Sequence, residues 1–68
     1  MFAKYKIISK DIYEREFYGT LTKKNKFEKY ATDEEIKQFS YDEAMMWLLR
    51  HKPPTGESYR MKGIGDPL

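Results

Sequence analysis

The sequence SYDEAMMWLL, residues 40–49, contains the clearest helix signal in the chain. It opens with a capping box, in which the Ser40 side chain accepts from the backbone N–H of Glu43 and the Glu43 side chain accepts from the N–H of Ser40. Alanine, methionine and leucine then favour a helix, and the Pro53-Pro54 pair ends it. We therefore predict one main helix, from about Tyr41 to His51, on which the rest of the chain packs.

The composition bounds the class of protein. The chain has 68 residues, no cysteine and a net charge of +2, with six Tyr, four Phe and one Trp. A chain of this size without disulfides depends on aromatic and aliphatic packing for its stability. The mild charge resembles neither an acidic DNA mimic nor a densely basic histone-like protein. No long apolar run is present, so we expect neither a signal peptide nor a membrane span, and a cytoplasmic protein.

The remaining segments show the patterns of strands and turns. Strands are predicted over Phe2 to Lys10, Ile12 to Thr22, Phe27 to Tyr30 and Glu57 to Lys62. Ile8 breaks the alternation of the first strand, which indicates a bulge or a second buried face, and Gly19 indicates a bulge or a close backbone approach. We predict an α+β fold, a three- to four-stranded antiparallel sheet with the helix on one face. Residues 1–62 form the single domain, and residues 63–68 form a tail.

The segment between the third strand and the helix allows two interpretations. Thr32 and Glu35 have the spacing of a second capping box, which would open one helical turn. Ser40 brings its own cap soon afterwards, so any helix here is short. We favour a turn followed by an extended segment from Glu35 to Phe39, with Phe39 as a hydrophobic staple ahead of the helix.

Candidate catalytic groups are few. His51 is the only histidine, and a metal site needs several convergent ligands. Its position favours contact with the last carbonyls of the helix, where positive charge is stabilised. No serine or threonine lies in the sequence context of an activated nucleophile, and the acidic residues show no spacing that demands paired catalysis. We therefore expect no enzyme activity, no catalytic residue, no metal and no cofactor.

The helix is apolar over more than half of its circumference, which is more than one small sheet can cover. Tryptophan and methionine are enriched at protein interfaces. We therefore expect a partner-binding surface that contains Met45, Met46, Trp47 and Leu49. The partner would be another protein or a second copy of the chain, as in a homodimer.

The lysines suggest a different class of partner. Basic residues on the first strand and in the hairpin turn are interleaved with aromatic residues, as in sheets that bind single-stranded nucleic acid through phosphate contacts and stacking. The candidate residues are Lys4, Lys6, Tyr18, Lys23, Lys24 and Lys26. Lysines also protect sheet edges from aggregation, so nucleic-acid binding is the alternative function.

The start of the helix, Phe39-Ser40-Tyr41-Asp42-Glu43-Ala44, resembles a pattern in small uncharacterised proteins of phages and mobile elements. In these proteins a short hairpin leads through an extended segment into a Phe-Ser-x-x-Glu-Ala helix start. The resemblance implies a small α+β module in the host cytoplasm that inhibits or modulates a host enzyme or defence protein. It assigns no functional residues.

Overall fold

The computed structural model describes residues 4–64. Its elements in chain order are β1 (Tyr5–Asp11), β2 (Phe17–Leu21), β3 (Phe27–Glu28), α1 (Tyr41–Arg50) and β4 (Glu57–Gly63). The strands form one antiparallel sheet in the order β3-β2-β1-β4, and α1 packs on it through β1 and β4. The predicted α+β architecture, with one helix on a four-stranded antiparallel sheet, is confirmed.

The helix begins where the capping box predicts. The backbone N–H of Glu43 donates to Ser40 Oγ at 3.2 Å, and the N–H of Ser40 donates to Glu43 Oε1 at 3.0 Å. At the other end His51 is already extended, and its N–H donates to the carbonyl of Trp47. The helix therefore ends one residue earlier than predicted, because His51 caps it.

The core lies between α1 and one face of the sheet. Its fully packed members are Ile7, Leu21, Phe39 and Ala44, and the partly buried residues against them are Tyr5, Phe27, Trp47, Leu48, Tyr59 and Met61. Side chains alternate between the two faces of a strand, so Ile8 points away from α1. It is nevertheless fully buried, between Thr20 and Arg60 on the neighbouring strands. The second buried site predicted at Ile8 is thus present on the outer face.

The segment before the helix separates the ends of two strands. Tyr5 and Phe39 donate to each other's carbonyls at 2.8 Å, and the N–H of Lys37 donates to the carbonyl of Leu21. Residues 36–39 therefore lie between the start of β1 and the end of β2. Thr32 and Glu35 form only a turn ahead of this segment. The N–H of Glu35 donates to the carbonyl of Thr32, and the backbone N–H and the hydroxyl of Thr32 both donate to Glu35 Oε1. The favoured interpretation, a turn followed by an extended segment, is confirmed.

The turn between β1 and β2 is longer than predicted. The second strand was expected from Ile12, but β2 begins at Phe17. The side chain of Asp11 accepts from the backbone N–H of Arg15 at 2.7 Å, and Glu14 has a φ of 60°. This local hydrogen bonding competes with strand pairing, so residues 12–16 leave the sheet despite their alternating pattern.

The middle of β2 contains both a bulge and a close backbone approach, the two features that Gly19 indicated. Ser9 pairs with Gly19 and Lys10 with Phe17, so Tyr18 is the extra residue of a bulge. A Cβ atom on Gly19 would lie 2.8 Å from the backbone nitrogen of Glu28. Only glycine therefore allows β3 to approach β2 this closely.

The other predicted boundaries shift by a few residues. The third strand ends at Glu28 instead of Tyr30, and β4 continues through Gly63, beyond the predicted domain boundary at residue 62. The predicted start of the first strand at Phe2 and residues 65–68 of the predicted tail lie outside the described residues.

Candidate functional site

Strand β4 forms one edge of the sheet, and half of its backbone groups point outward. The N–H of Ile64 donates to the carbonyl of Lys4, and the N–H of Ile12 donates to the carbonyl of Gly56. Along an antiparallel strand, every second residue forms the hydrogen bonds to one given neighbour. Gly56 and Ile64 bond to the β1 side, so the even-numbered residues between them also do. Within residues 4–64 no strand pairs with the other side of β4. The outward N–H and C=O groups left for a partner belong to Tyr59, Met61 and Gly63.

An apolar stripe of α1 lies beside this edge. Tyr41, Met45 and Leu49 follow each other at intervals of four residues and are 53, 39 and 72% exposed, so they share one side of the helix. Leu48, next to them on the helix surface, lines an open cleft of about 410 Å³ together with Tyr59, Arg60 and Met61 of β4. We call the outward backbone of β4 and this helix stripe the edge site.

The outer face of the sheet beside the edge site is positively charged. Lys6 of β1 lies directly opposite Lys62 of β4, and like charges at such positions repel each other. Neither forms an ion pair with a described residue. Arg60 does, because its guanidinium is 2.8 Å from the carboxylate of Glu14. The edge site is therefore bordered by two uncompensated lysines.

The four predicted partner-binding residues separate into two groups. Met45 and Leu49 belong to the edge site. Met46 is exposed on the opposite side of the helix, where it lines an apolar cleft of about 370 Å³ with Phe39 and Trp47. Trp47 itself is partly buried against Phe27 of β3, so it contributes mainly to packing.

The predicted nucleic-acid residues also separate. Lys4 precedes β1 and Lys6 lies near its start. Lys23, Lys24 and Lys26 lie in the hairpin after β2. Because β1 and β2 are antiparallel, these lysines share one end of the sheet.

Tyr18 lies at the opposite end, in a cleft with Phe27 and Glu57. Partial desolvation and the carboxylates of Glu16, Asp11 and Glu57 raise the pKa of Tyr18 above its ordinary value. The ring of Tyr18 thus lies away from the lysines and close to negative charge, where a phosphate is repelled.

His51 has the environment that its position predicted. Its Nδ1 atom lies 2.9 Å from the carbonyl oxygen of Trp47, so it can donate to the end of the helix. The imidazole also stacks on the indole of Trp47, with ring centroids 4.1 Å apart. The spacing of the two residues, one helical turn, made this pair accessible to sequence reasoning.

The edge site itself was missed by sequence reasoning. The alternation of residues 57–62 predicted a strand, but a strand after the helix can join either side of a sheet. The alternation placed Tyr59 and Met61 on one side of that strand and gave no indication of their backbone groups. Their outward backbone groups follow from the strand order, for which the sequence contains no local signal.

Comparison of the chain with protein-family models, curated proteins and solved structures finds no match in any of the three. In the part of the chain that the structure describes, no helix has the length and apolar character needed to cross a bilayer. The candidate site therefore depends on the geometry alone.

Proposed function

We propose that this protein is a non-enzymatic binding module that takes up an extended segment of another protein at β4. The observation that carries the proposal is the seven-residue edge strand, whose outward backbone groups lie beside the exposed stripe of α1. Addition of a strand to a sheet edge derives its affinity from backbone hydrogen bonds and its specificity from alternate side chains. An inhibitor or modulator of a host protein, as the resemblance of residues 39–44 implies, would use a surface of this kind.

The charge beside the edge favours a particular partner segment. Alternate residues of an added strand would face α1, where Met45 and Leu48 favour apolar side chains. The residues between them would face the outer side, where Lys6 and Lys62 favour carboxylates. The expected ligand therefore alternates apolar and acidic residues.

A second copy of the chain fits the edge less well. Antiparallel pairing of two β4 strands centred on Arg60 would set the two Arg60 side chains opposite each other. Pairing centred on Met61 would set Arg60 opposite Lys62. Both registers add positive charge to a face that already contains an unfavourable lysine pair.

The proposal can be tested with a synthetic peptide of alternating valine and glutamate that matches β4 in length. We expect the backbone amide signals of Tyr59, Met61 and Gly63 to shift and gain protection from hydrogen exchange in NMR titrations. A peptide of alternating valine and lysine should bind roughly tenfold more weakly. The proposal fails if the acidic peptide leaves these amides unchanged, or if the amides are already protected because the protein alone is a dimer.

Two variants and a control make the test specific to the edge site. Gly63→Pro replaces an outward N–H by a ring. The lost N–H is not one that bonds to β1, and proline is tolerated at sheet edges, so we expect the pairing of β4 with β1 to persist. Leu49→Asp removes part of the exposed stripe. Each variant should weaken the binding of the acidic peptide by roughly tenfold. Tyr30→Asp changes an aromatic residue that is 87% exposed and follows β3, at the other edge of the sheet, and should have no effect.

Single-stranded nucleic acid is the second candidate partner, supported by the lysines gathered at one end of the sheet. Binding of a fluorescent oligo(dT) should fall steeply with salt. Reversal of Lys23, Lys24 and Lys26 to glutamate should abolish it. Absence of binding at low salt excludes this candidate, while strand addition at β4 is unaffected by that result.

A further inference from the structure

A further cleft lies on the helix side of the sheet, at the far end of α1 from its cap. It has a volume of about 460 Å³ and lies between the end of α1 and the β2–β3 hairpin. Clefts of this size accommodate small organic ligands. It contains none of the Met45, Leu48 and Leu49 side chains of the edge site and shares only Tyr59 with it, so the proposal does not rest on strand addition at β4. We call it the hairpin cleft.

Aromatic rings form the inner wall of the hairpin cleft. The rings of Phe27 and Tyr59 stack with centroids 4.9 Å apart, and Trp47 is tilted against Tyr59 at 5.2 Å. His51 lies parallel to Trp47, at 11°, and is itself exposed. The Trp47–His51 stack therefore carries a planar surface out to solvent, where another flat ring can be added.

The rim of the cleft is basic. Arg50 and Lys52 line it together with His51, and no carboxylate is among its lining residues. In the described part of the chain neither Arg50 nor Lys52 forms an ion pair. The end of a helix carries a partial negative charge of roughly half a unit, which two full positive charges exceed. The rim thus has an excess of positive charge for an anionic group.

A polar side chain completes the cleft from the hairpin side. Asn25 lines it, and the turn holds this residue in a left-handed conformation, with a φ of 62°. Its backbone N–H donates to the carbonyl of Thr22 at 2.9 Å. The side-chain amide offers both a donor and an acceptor, the pair of groups that reads the edge of a nucleobase.

We propose that the hairpin cleft binds a nucleotide, with the base against the aromatic wall and the phosphate at Arg50 and Lys52. The three elements of the cleft match the three parts of such a ligand. Flat aromatic surface suits the base, the amide of Asn25 suits its hydrogen-bonding edge, and the two cations suit the phosphate. The nucleotide is taken up either free or as one unit of a single strand.

The only tryptophan of the chain lies in the cleft, so its fluorescence reports binding directly. Titration with AMP should change the emission of Trp47 saturably. Adenosine lacks the phosphate, and inorganic phosphate lacks the base. Each should therefore bind roughly tenfold more weakly than AMP or not at all. Tighter binding of a short oligo(dA) identifies a single strand as the source, and equal affinity identifies the free nucleotide.

Charge-reversal variants distinguish binding of the AMP phosphate from nonspecific quenching of the Trp47 fluorescence. Arg50→Glu combined with Lys52→Glu should weaken the binding of AMP by roughly tenfold or more. The same variant should leave the weaker response to adenosine unchanged. Both positions are exposed, so the fold is expected to persist, and a thermal melt checks this. Lys29→Glu, at an exposed lysine after β3, is the control and should leave AMP binding intact. The proposal is overturned if AMP gives no saturable change at millimolar concentration or binds the charge-reversed variant as tightly as the wild type.

Discussion

Adding one methyl group at Gly19 should force β3 away from β2. The new Cβ would lie 2.8 Å from the backbone nitrogen of Glu28 and 3.0 Å from the carbonyl carbon of Phe27, whereas ordinary van der Waals contact begins at 3.4 Å. Both contacts are with backbone atoms, which cannot rotate aside. Strand β3 must therefore move by about 0.6 Å.

The loss of stability in Gly19→Ala depends on how β3 is held in the sheet. It has two residues, and its pairing with β2 consists of Thr20 with Glu28 and Leu21 with Phe27. Overpacking of this kind destabilises a protein by about 2 kcal/mol. A domain of this length has an unfolding free energy of roughly 3–10 kcal/mol. We expect Gly19→Ala to lower the melting temperature by about 10 °C.

Two signals together test the expectation. Thermal unfolding followed by circular dichroism gives the melting temperature, and tryptophan fluorescence gives the surroundings of Trp47, which contacts Phe27 edge to face at 6.1 Å. Both should change in Gly19→Ala. Gly56→Ala is the control, because Gly56 has a φ of 91° but no atom within 4 Å of the added Cβ. It should cost about 1 kcal/mol through its backbone and leave the Trp47 signal unchanged.

A Gly19→Ala protein with a wild-type melting temperature and an unchanged Trp47 emission would refute this account. Such a result would mean that β3 is not held against β2 at this point. The wall of the hairpin cleft would then have to be positioned by α1 and β4 alone.

The remaining predictions concern the helix cap and the surface ion pair. Ser40→Ala should destabilise the protein by about 1 kcal/mol in chemical denaturation, because it removes the acceptor at the helix start. Thr32→Ala, in a similar hydrogen-bonded turn without a helix, should cost less. Hydrogen bonds from Ser40 lower the pKa of Glu43 below its ordinary value of 4.5. The stability that Glu43 contributes is therefore present above pH 4.5 and is lost as the pH falls through the lowered folded-state value. Chemical denaturation at several acidic pH values should show that the free energy of unfolding falls less steeply with pH in Glu43→Gln than in the wild type. Equal slopes would contradict this role of Glu43. A double-mutant cycle on Glu14 and Arg60 should give a coupling of only about 0.2–1 kcal/mol, since both side chains are half exposed.

Local signals predicted the helix well. The reciprocal hydrogen bonds of Ser40 and Glu43 need only residues of the same turn, so their pattern is complete in the sequence. Gly19 was recognised by a different local signal, the presence of a residue without a side chain inside a strand. The cap was confirmed because its interactions are short in range, whereas the backbone that approaches Gly19 belongs to the neighbouring strand β3.

Features that depend on competition or on strand order were harder to predict. Ile12 and Tyr13 continue an alternating pattern, yet the side chain of Asp11 captures the backbone of Arg15 and turns the chain out of the sheet. Tyr18, which is interleaved with the lysines in the sequence, lies at the other end of the sheet because it is near the start of β2. Neither outcome follows from hydrophobic alternation, which records only which side chains can be buried.

The candidate sites were predictable to a lesser degree than the fold. The exposed Met45 and Leu49 followed from the excess of apolar surface on the helix. The position of β4 beside them, and the meeting of Asn25 with Arg50 and Lys52, required the tertiary arrangement. Residues that are distant in the sequence meet there because α1 crosses the sheet between the hairpin and the edge strand.

The hydrogen bonds between Tyr5 and Phe39 have a consequence for how the domain folds. The start of β1 cannot complete its pairing until the segment before the helix has arrived, and that segment is followed at once by the Ser40 cap. The first hairpin is therefore not an independent folding unit, since its open end is closed by residues from much later in the chain. We expect the amides of Tyr5 and Phe39 to exchange with solvent only through global unfolding, so that sheet and helix melt in one cooperative transition.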